Sequence, residues 1–284
     1  MILVTGASGT VGSEVLKQLR EQGAEVRAAF HSAEKAARAQ KQGINSVVLD
    51  YADRASTAAA LKGVAKVFLL GPTVPNQSEL ESNVVEEAKK ARVRHIVKLS
   101  VLDAAGEKYT FAKWHRAVEK TIERSGLQYT FLRCNEFMQN TLTYYLGTIK
   151  SEGAFYLPTR DAKNSVIDVR DIAAVAVKVL TASGHENKVY ELSGPEELSH
   201  EQIAQKLSAA VGKQIKYVDI SAAAFKEGAV AAGIPDWYAD ALLNLYQLYV
   251  AGGAQQVTKD VERVTGKKPR SFDQFAREHA AAFR

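Results

Sequence analysis

Over the first 134 residues, six short runs rich in β-branched side chains alternate with stretches of helical period, an order that few folds accommodate. The runs are ILVT (2–5), EVRAAF (25–30), SVVLD (46–50), KVFLLG (66–71), HIVKLS (95–100) and YTFLR (129–133). Strands separated by helices cannot pair as tight hairpins. Each returns by a crossover, so the pattern predicts a parallel sheet covered by helices. Residues 10–22 carry Val11, Val15, Leu16 and Leu19 on one stripe, and residues 77–92 carry Leu80, Val84, Val85, Ala88 and Ala91. Gly23, Gly43, Gly63 and Gly126 each close a helical stretch ahead of a strand, the place for a left-handed C-cap.

Beyond residue 134 the alternation loosens into a helix at 135–148, a turn-rich stretch, a helix at 169–182, the strand KVYELSG (188–194) and then mostly helix. Two further helices, 221–232 and 236–250, flank Gly233-Ile234-Pro235 and suit a cap over a cleft. The expected fold class is α/β: a Rossmann-type doubly wound parallel sheet in residues 1–134, with a smaller, mostly helical C-terminal substrate lobe in 135–284 that partly returns to the sheet.

Composition excludes several alternatives. With 284 residues, 46% hydrophobic and 24% charged, the chain is long enough for a sizeable core and has no disordered bias. Cys134 is the only cysteine, which leaves no intramolecular disulfide or thiolate-rich zinc site, predicts no metal, and fits a reducing compartment, most simply the cytoplasm. The longest apolar stretch, IAAVAVKVL (172–180), is short and broken by Lys178, so no membrane association is expected. A net charge of +5 weakly favours anionic partners. The basic clusters KKARVRHIVK (89–98) and GKKPR (266–270) read as solvated charge and helix-end lysines rather than nucleic-acid contacts. The oligomeric state is open.

The strongest local signal is Thr5-Gly6-Ala7-Ser8-Gly9-Thr10-Val11-Gly12, directly after the first strand and opening the first helix. Without side chains at Gly6, Gly9 and Gly12, the chain can turn tightly, press backbone amides against a pyrophosphate and pack the helix on its strand. The spacing is GxxGxxG rather than GxGxxG, and its position gives it weight. About 20 residues on, an NAD-binding fold places an acid for the adenosine ribose. Here the chain reads Ala29-Phe30-His31-Ser32, with Lys35 one turn further. That tip suits a 2′-phosphate, so NADP(H) is the preferred cofactor and NAD(H) the alternative. Asp50, with Tyr51 at the end of the third strand, is placed either to accept from the adenine amino group or to cap the helix starting near Asp53.

With these residues in place the sequence resembles the NmrA-like branch of atypical short-chain dehydrogenases/reductases, in pattern similar to NADPH quinone reductases and triphenylmethane dye reductases. The carriers are TGASGTVG, HIVKLS, KWHRAVEKTIERSGLQYTFLR (113–133) with NEFMQN after it, DVRDIAAVAVKVL (168–180) and GHENKVYELSG (184–194). The resemblance implies that Gly6, Gly9 and Gly12 bind the pyrophosphate and that His31, where relatives carry arginine, meets the 2′-phosphate. It also implies that Gly71 and Pro72, at the tip of the fourth strand, lie beside the nicotinamide ribose.

Short-chain dehydrogenases use a Tyr-x-x-x-Lys helix and a serine near the end of the fifth strand. This chain offers Tyr109, Lys113 and Ser100. Lys113 would hold the nicotinamide ribose and lower the tyrosine pKa, Tyr109 would donate a proton, and Ser100 would orient the substrate oxygen. Relatives lacking the tyrosine keep a mechanism without it open. His115 suits either a ligand contact or a satisfied position between lobes, and Cys134 a buried, inert one. Phe137, Met138 and Trp237, among Tyr144, Tyr145, Tyr238, Tyr246 and Tyr249, are candidates to line an apolar substrate pocket, each weighed against an ordinary core role. The functional expectation is an NADPH-dependent oxidoreductase passing hydride to a planar small-molecule electrophile such as a quinone, dye or conjugated carbonyl. The alternative is an NADP(H)-binding redox sensor without turnover.

Overall fold

In the first part of the chain β1 (Ile2–Val4), β2 (Val26–Phe30), β3 (Ser46–Val48), β4 (Lys66–Leu69), β5 (His95–Val101) and β6 (Gln128–Cys134) alternate with α1 (Thr10–Glu21), α2 (Ala33–Lys41), α3 (Arg54–Leu61), α4 (Gln77–Lys90) and α5 (Thr110–Ser125). A computed structural model describes all residues, 1–284. The six strands fall within the expected runs to within a residue or two. Together with β9 (Lys188–Leu192) they form one parallel sheet of order β3-β2-β1-β4-β5-β6-β9. Register is Ile2 with Val26 and Lys66, Ala28 with Ser46, and Lys66 with His95. The order reverses between β1 and β4, which makes the carboxyl ends of those strands the switch point where such sheets bind ligands.

The expected α1 stripe is buried as Val11, Val15, Leu16 and Leu19. On α4, Val84, Val85 and Ala88 are buried, whereas Ala91 is exposed as the C-cap. Val84, Val85 and Ala88, with Leu61 of α3 and Val118 and Ile122 of α5, close over Leu3, Val67, Leu69, Ile96 and Phe131 from the strands. Gly23, Gly43, Gly63 and Gly126 all take positive φ, as the left-handed cap requires.

The chain divides into two units that are not contiguous. The first is Met1–Val101, Trp114–Arg133 and Val169–Tyr190; the second is Leu102–Lys113, Cys134–Asp168 and Glu191–Arg284. The expected boundary at 134/135 is crossed twice. The main reason is α7 (Val169–Thr181), which buries Ile172, Val175, Ala176, Val179 and Leu180 among others. A helix apolar on most of its circumference must be covered widely, and α7 packs beside α1, where Gln18 Nε2 donates to the Arg170 carbonyl at 3.2 Å.

In the second unit, α6 (Leu146–Glu152), α8 (His200–Val211), α9 (Ala222–Ala231), α10 (Asp236–Val250), α11 (Asp260–Thr265) and α12 (Phe272–His279) accompany two small sheets. One pairs β7 (Ala154–Leu157) with β11 (Lys216–Asp219) in parallel, the other β8 (Lys163–Asn164) with β10 (Leu198–Ser199) antiparallel. Phe155, Leu207, Phe272, Phe275 and Phe283 are at its core. The helix expected over 135–148 does not form as such. Met138 N donates to Ile167 O at 2.9 Å and Ile167 N to Glu136 O at 2.8 Å. Tertiary backbone pairing thus outcompetes local helix propensity until a π-turn at Thr141–Tyr145 leads into α6.

Candidate functional site

The glycine turn follows β1 as expected, and sterics explain each missing side chain. Gly6 takes φ +61°, in the left-handed region. A Cβ on Gly12 would lie 2.2 Å from the Gly6 carbonyl oxygen, so only glycine lets the first turn of α1 meet the loop. Gly9, the N-cap of α1, offers no capping side chain, and no acid occupies the first turn. The amides on either side are paired: Ala7 N donates to Ala29 O at 3.4 Å, Gly9 N to Gly6 O at 2.9 Å and Ser13 N to Gly9 O at 3.0 Å. The amides of Thr10, Val11 and Gly12 between them meet no acceptor in the protein. Ser8, Gly9 and Thr10 are exposed, so the helix N-terminus opens to solvent. Three unpaired donors at the positive end of a helix fit a diphosphate.

Thr5 is buried and joins the two strand tips of the switch point. Its Oγ1 donates to Phe68 O at 3.0 Å and lies 3.1 Å from Leu70 O, while Leu70 N donates to it at 2.8 Å. Tyr51, 9% exposed, also donates its hydroxyl to Leu70 O at 2.7 Å, and burial raises its pKa. Thr5 and Tyr51 therefore shape the loop after β4, rather than offering free hydroxyl groups. Gly71 is half-buried and Pro72 exposed.

At the tip of β2, His31 and Lys35 are both exposed, with no partner in the protein. Ser32 caps α2 by accepting from Lys35 N at 3.3 Å. Glu34, the acid in that first turn, pairs with Arg38 at 2.7 Å, which tempers its repulsion of an incoming phosphate. Asp50 Oδ1 accepts from Ala52 N at 2.9 Å, and the α3 cap is Asp53 instead, accepting from Ala55 N at 2.9 Å.

Of the expected reacting residues, Tyr109 and Ser100 are buried and Lys113 is exposed. Tyr109 precedes α5, is 3% exposed and donates its hydroxyl to Leu102 O at 2.5 Å. Burial, with a smaller push from Asp103, moves its pKa upward, opposite to the lowering expected from a lysine neighbour. Ser100 is 1% exposed and donates to Glu119 Oε1 at 2.7 Å. That carboxylate is clamped by Arg133 at 2.7 and 3.1 Å and by Arg116 at 3.1 Å. Ser100 thus belongs to a buried charge network. Lys113 is exposed and unpartnered.

Among the aromatic candidates, Met138 is 1% exposed in the second unit's core, which corrects its expected role at a substrate surface. Tyr145, Tyr246 and Tyr249 are buried with it, Tyr145 stacking on Phe155 at 5.0 Å. Phe137 and Trp237 are half-buried, Trp237 lying 5.3 Å from Tyr238. Cys134 is buried.

Several charged residues escaped the sequence reading. Lys98, the last residue of a basic cluster expected to be solvated, is fully buried and pairs with equally buried Glu81 at 3.0 Å. Glu81 Oε1 also accepts from Gly71 N at 2.6 Å. Lys98 donates to the Leu99 carbonyl and to His115 Nδ1 at 3.1 Å, and Gln77 stands 3.3 Å from His115 Nε2. Burial, followed by the Lys98 charge, holds the His115 pKa well below the ordinary imidazole range, so its Nδ1 is the acceptor. In the second unit Glu136 receives Asn164 Nδ2 and the Tyr145 hydroxyl, and burial raises its pKa. An i, i+4 pair of Gln77 and Glu81 on a helix otherwise carrying an apolar stripe was the available signal for the first cluster.

A doubly wound parallel sheet with open amides at its switch point, and an uncharged-to-basic tip on the next strand, defines a dinucleotide-binding protein. The NmrA-like family model matches residues 1–276, and the chain belongs to that family. It is similar to the NAD(P)H azoreductase of Xenophilus azovorans, 39% identical over 288 residues covering 100% of this chain and 99% of that one. Its fold is similar to the crystal structure of the NADPH-dependent quinone oxidoreductase of Escherichia coli complexed with NADPH, with a TM-score of 0.89, 31% identity, and coverage of 98% and 99%. The Citrobacter triphenylmethane reductase complexed with NADP(H) gives a TM-score of 0.86 at 27% identity, covering 98% and 99%. No helix is long and apolar enough to cross a membrane.

Proposed function

We propose that this chain is an NADPH-dependent oxidoreductase that reduces planar electrophiles, of the quinone, azo or triphenylmethane dye type, in preference to simple carbonyls. The observation that carries the cofactor assignment is the trio of unpaired amides at Thr10, Val11 and Gly12, reached only because Gly12 lacks a Cβ. When bound there, the reduced nicotinamide nucleotide supplies the hydride. The 2′-phosphate reading is supported by the exposure of His31 and Lys35 at the β2 tip and by the pairing of nearby Glu34 with Arg38.

The acceptor preference rests on proton supply. Of the three expected catalytic residues, only Lys113 has a side chain free to meet a ligand, since the hydroxyls of Tyr109 and Ser100 donate within the protein. Hydride transfer to a quinone or dye needs chiefly alignment of two flat groups, and solvent can furnish the proton. Phe137 and Trp237 are the half-buried rings suited to stacking on such an acceptor.

The test is multiple-turnover NADPH oxidation with a panel of quinones, azo and triphenylmethane dyes, and aldehydes, for the unaltered protein and Tyr109→Phe. Quinone or dye turnover changed less than about threefold by the substitution is expected. A loss of roughly 10²–10⁴-fold would restore Tyr109 as proton donor. A second reading, a redox sensor, draws on the same internal commitment of hydroxyl groups, and tight NADPH binding without turnover on any acceptor would select it.

A further inference from the structure

The buried pair Glu81–Lys98 lies under the loop after β4 and touches no solvent, which is costly unless it fixes something. All three ammonium protons of Lys98 are engaged, by Glu81, the Leu99 carbonyl and His115 Nδ1. Glu81 Oε1 accepts from both Lys98 and the backbone amide of Gly71. The loop has been cut to fit this carboxylate, since a Cβ on Gly71 would fall 2.6 Å from Glu81 Cγ. On its other side the preceding residue, Leu70, is held by Thr5 and Tyr51. The β4 tip is thus pinned from β1, from the end of β3, and from the α4–β5–α5 layer.

The strand order gives that tip a place along an extended dinucleotide. With the diphosphate at the turn after β1 and the 2′-phosphate end at β2, continuing across β2-β1-β4 brings the other half over β4. We propose that Glu81 is a positioning residue for the nicotinamide half of the cofactor: anchored by Lys98, it fixes the Gly71 amide and with it the loop that this half rests on. The inference rests on the cofactor site proposed above.

The test compares binding of whole NADPH with binding of 2′,5′-ADP, which carries the phosphorylated adenosine half alone, by fluorescence and calorimetric titration. Glu81→Leu alone strands a buried ammonium, so the informative variant is Glu81→Leu with Lys98→Met, which removes both charges and keeps volume. It is expected to raise the Kd of NADPH about tenfold and leave that of 2′,5′-ADP within twofold. Glu81→Gln, whose Oε1 can still accept from Gly71 N, should stay within about threefold of the unaltered protein for both ligands. Unchanged NADPH affinity in the double variant, or equal weakening of both ligands, overturns the positioning role. Failure of the unaltered protein to bind either ligand would instead overturn the cofactor site, and this proposal with it.

Discussion

Replacing Gly12 by alanine separates what the glycine turn does for folding from what it does for binding. By helix propensity alone, alanine inside α1 would stabilise by about 1 kcal/mol. The structure reverses that sign: the new Cβ would sit 2.2 Å from Gly6 O and 2.7 Å from its carbonyl carbon, where ordinary contact begins at 3.4 Å. Helix and loop must part by roughly 1 Å, an overpacking cost of about 1–3 kcal/mol. The same displacement spoils the convergence of the Thr10, Val11 and Gly12 amides on one anion. Hydrogen bonds to a charged group contribute about 1.5–3 kcal/mol each, so a net loss of roughly 2–4 kcal/mol corresponds to an increase in Kd of about 30–1,000-fold. The assay is NADPH titration beside thermal unfolding, with Gly23→Ala as control. Position 23, unlike position 12, has positive φ, with open space around a Cβ, so strain lowers its stability while the Kd is unchanged. A Gly12→Ala protein that binds NADPH within threefold of the unaltered one would refute the argument.

His31→Ala with Lys35→Ala should weaken NADPH about tenfold and leave NADH unchanged, and the difference should shrink in high salt because both side chains are exposed; unaltered selectivity would place the 2′-phosphate elsewhere. Buried His95 and His200 have pKa values held down to about 4, chiefly by burial, against 6.5 when unfolded. Between those limits the unfolded chain binds more protons, so stability is full above about pH 6.5 and falls as pH drops, by up to about 3 kcal/mol per histidine near pH 4. Urea midpoints at pH 7 and pH 5 check the direction, and a higher midpoint at pH 5 would contradict it. The raised pKa of Glu136 acts oppositely, favouring the fold at pH values below its folded pKa, so Glu136→Gln should steepen the loss on acidification.

The sheet and the glycine turn after β1 were legible because each is written locally. A strand or helix shows its period, and a turn that admits no Cβ shows its glycines in order along the chain. The second half was less legible for a physical reason seen at Glu136–Met138, where hydrogen bonds to distant Ile167 override a helical pattern. The same holds for the charges. Lys98 reads as one more surface lysine until Glu81, 17 positions away in sequence, and His115 close around it. Tyr109 and Lys113 show the converse error: correct spacing carries no information about whether the phenol points into a carbonyl or into a cleft.

That internal commitment also constrains the chemistry. Reduction of a simple carbonyl builds negative charge on one oxygen and is slow unless an acid stands beside it; a quinone or an extended dye spreads the charge over its own rings, and protonation can follow from water. A protein whose Tyr109 hydroxyl is bonded to Leu102 O, with its pKa raised rather than lowered, gains little for the first reaction and gives up little for the second. Under the proposed function, selection among acceptors falls to shape and stacking more than to acid catalysis, so alanine at half-buried Phe137 or Trp237 is expected to raise acceptor KM and leave the NADPH Kd unchanged in steady-state and titration assays.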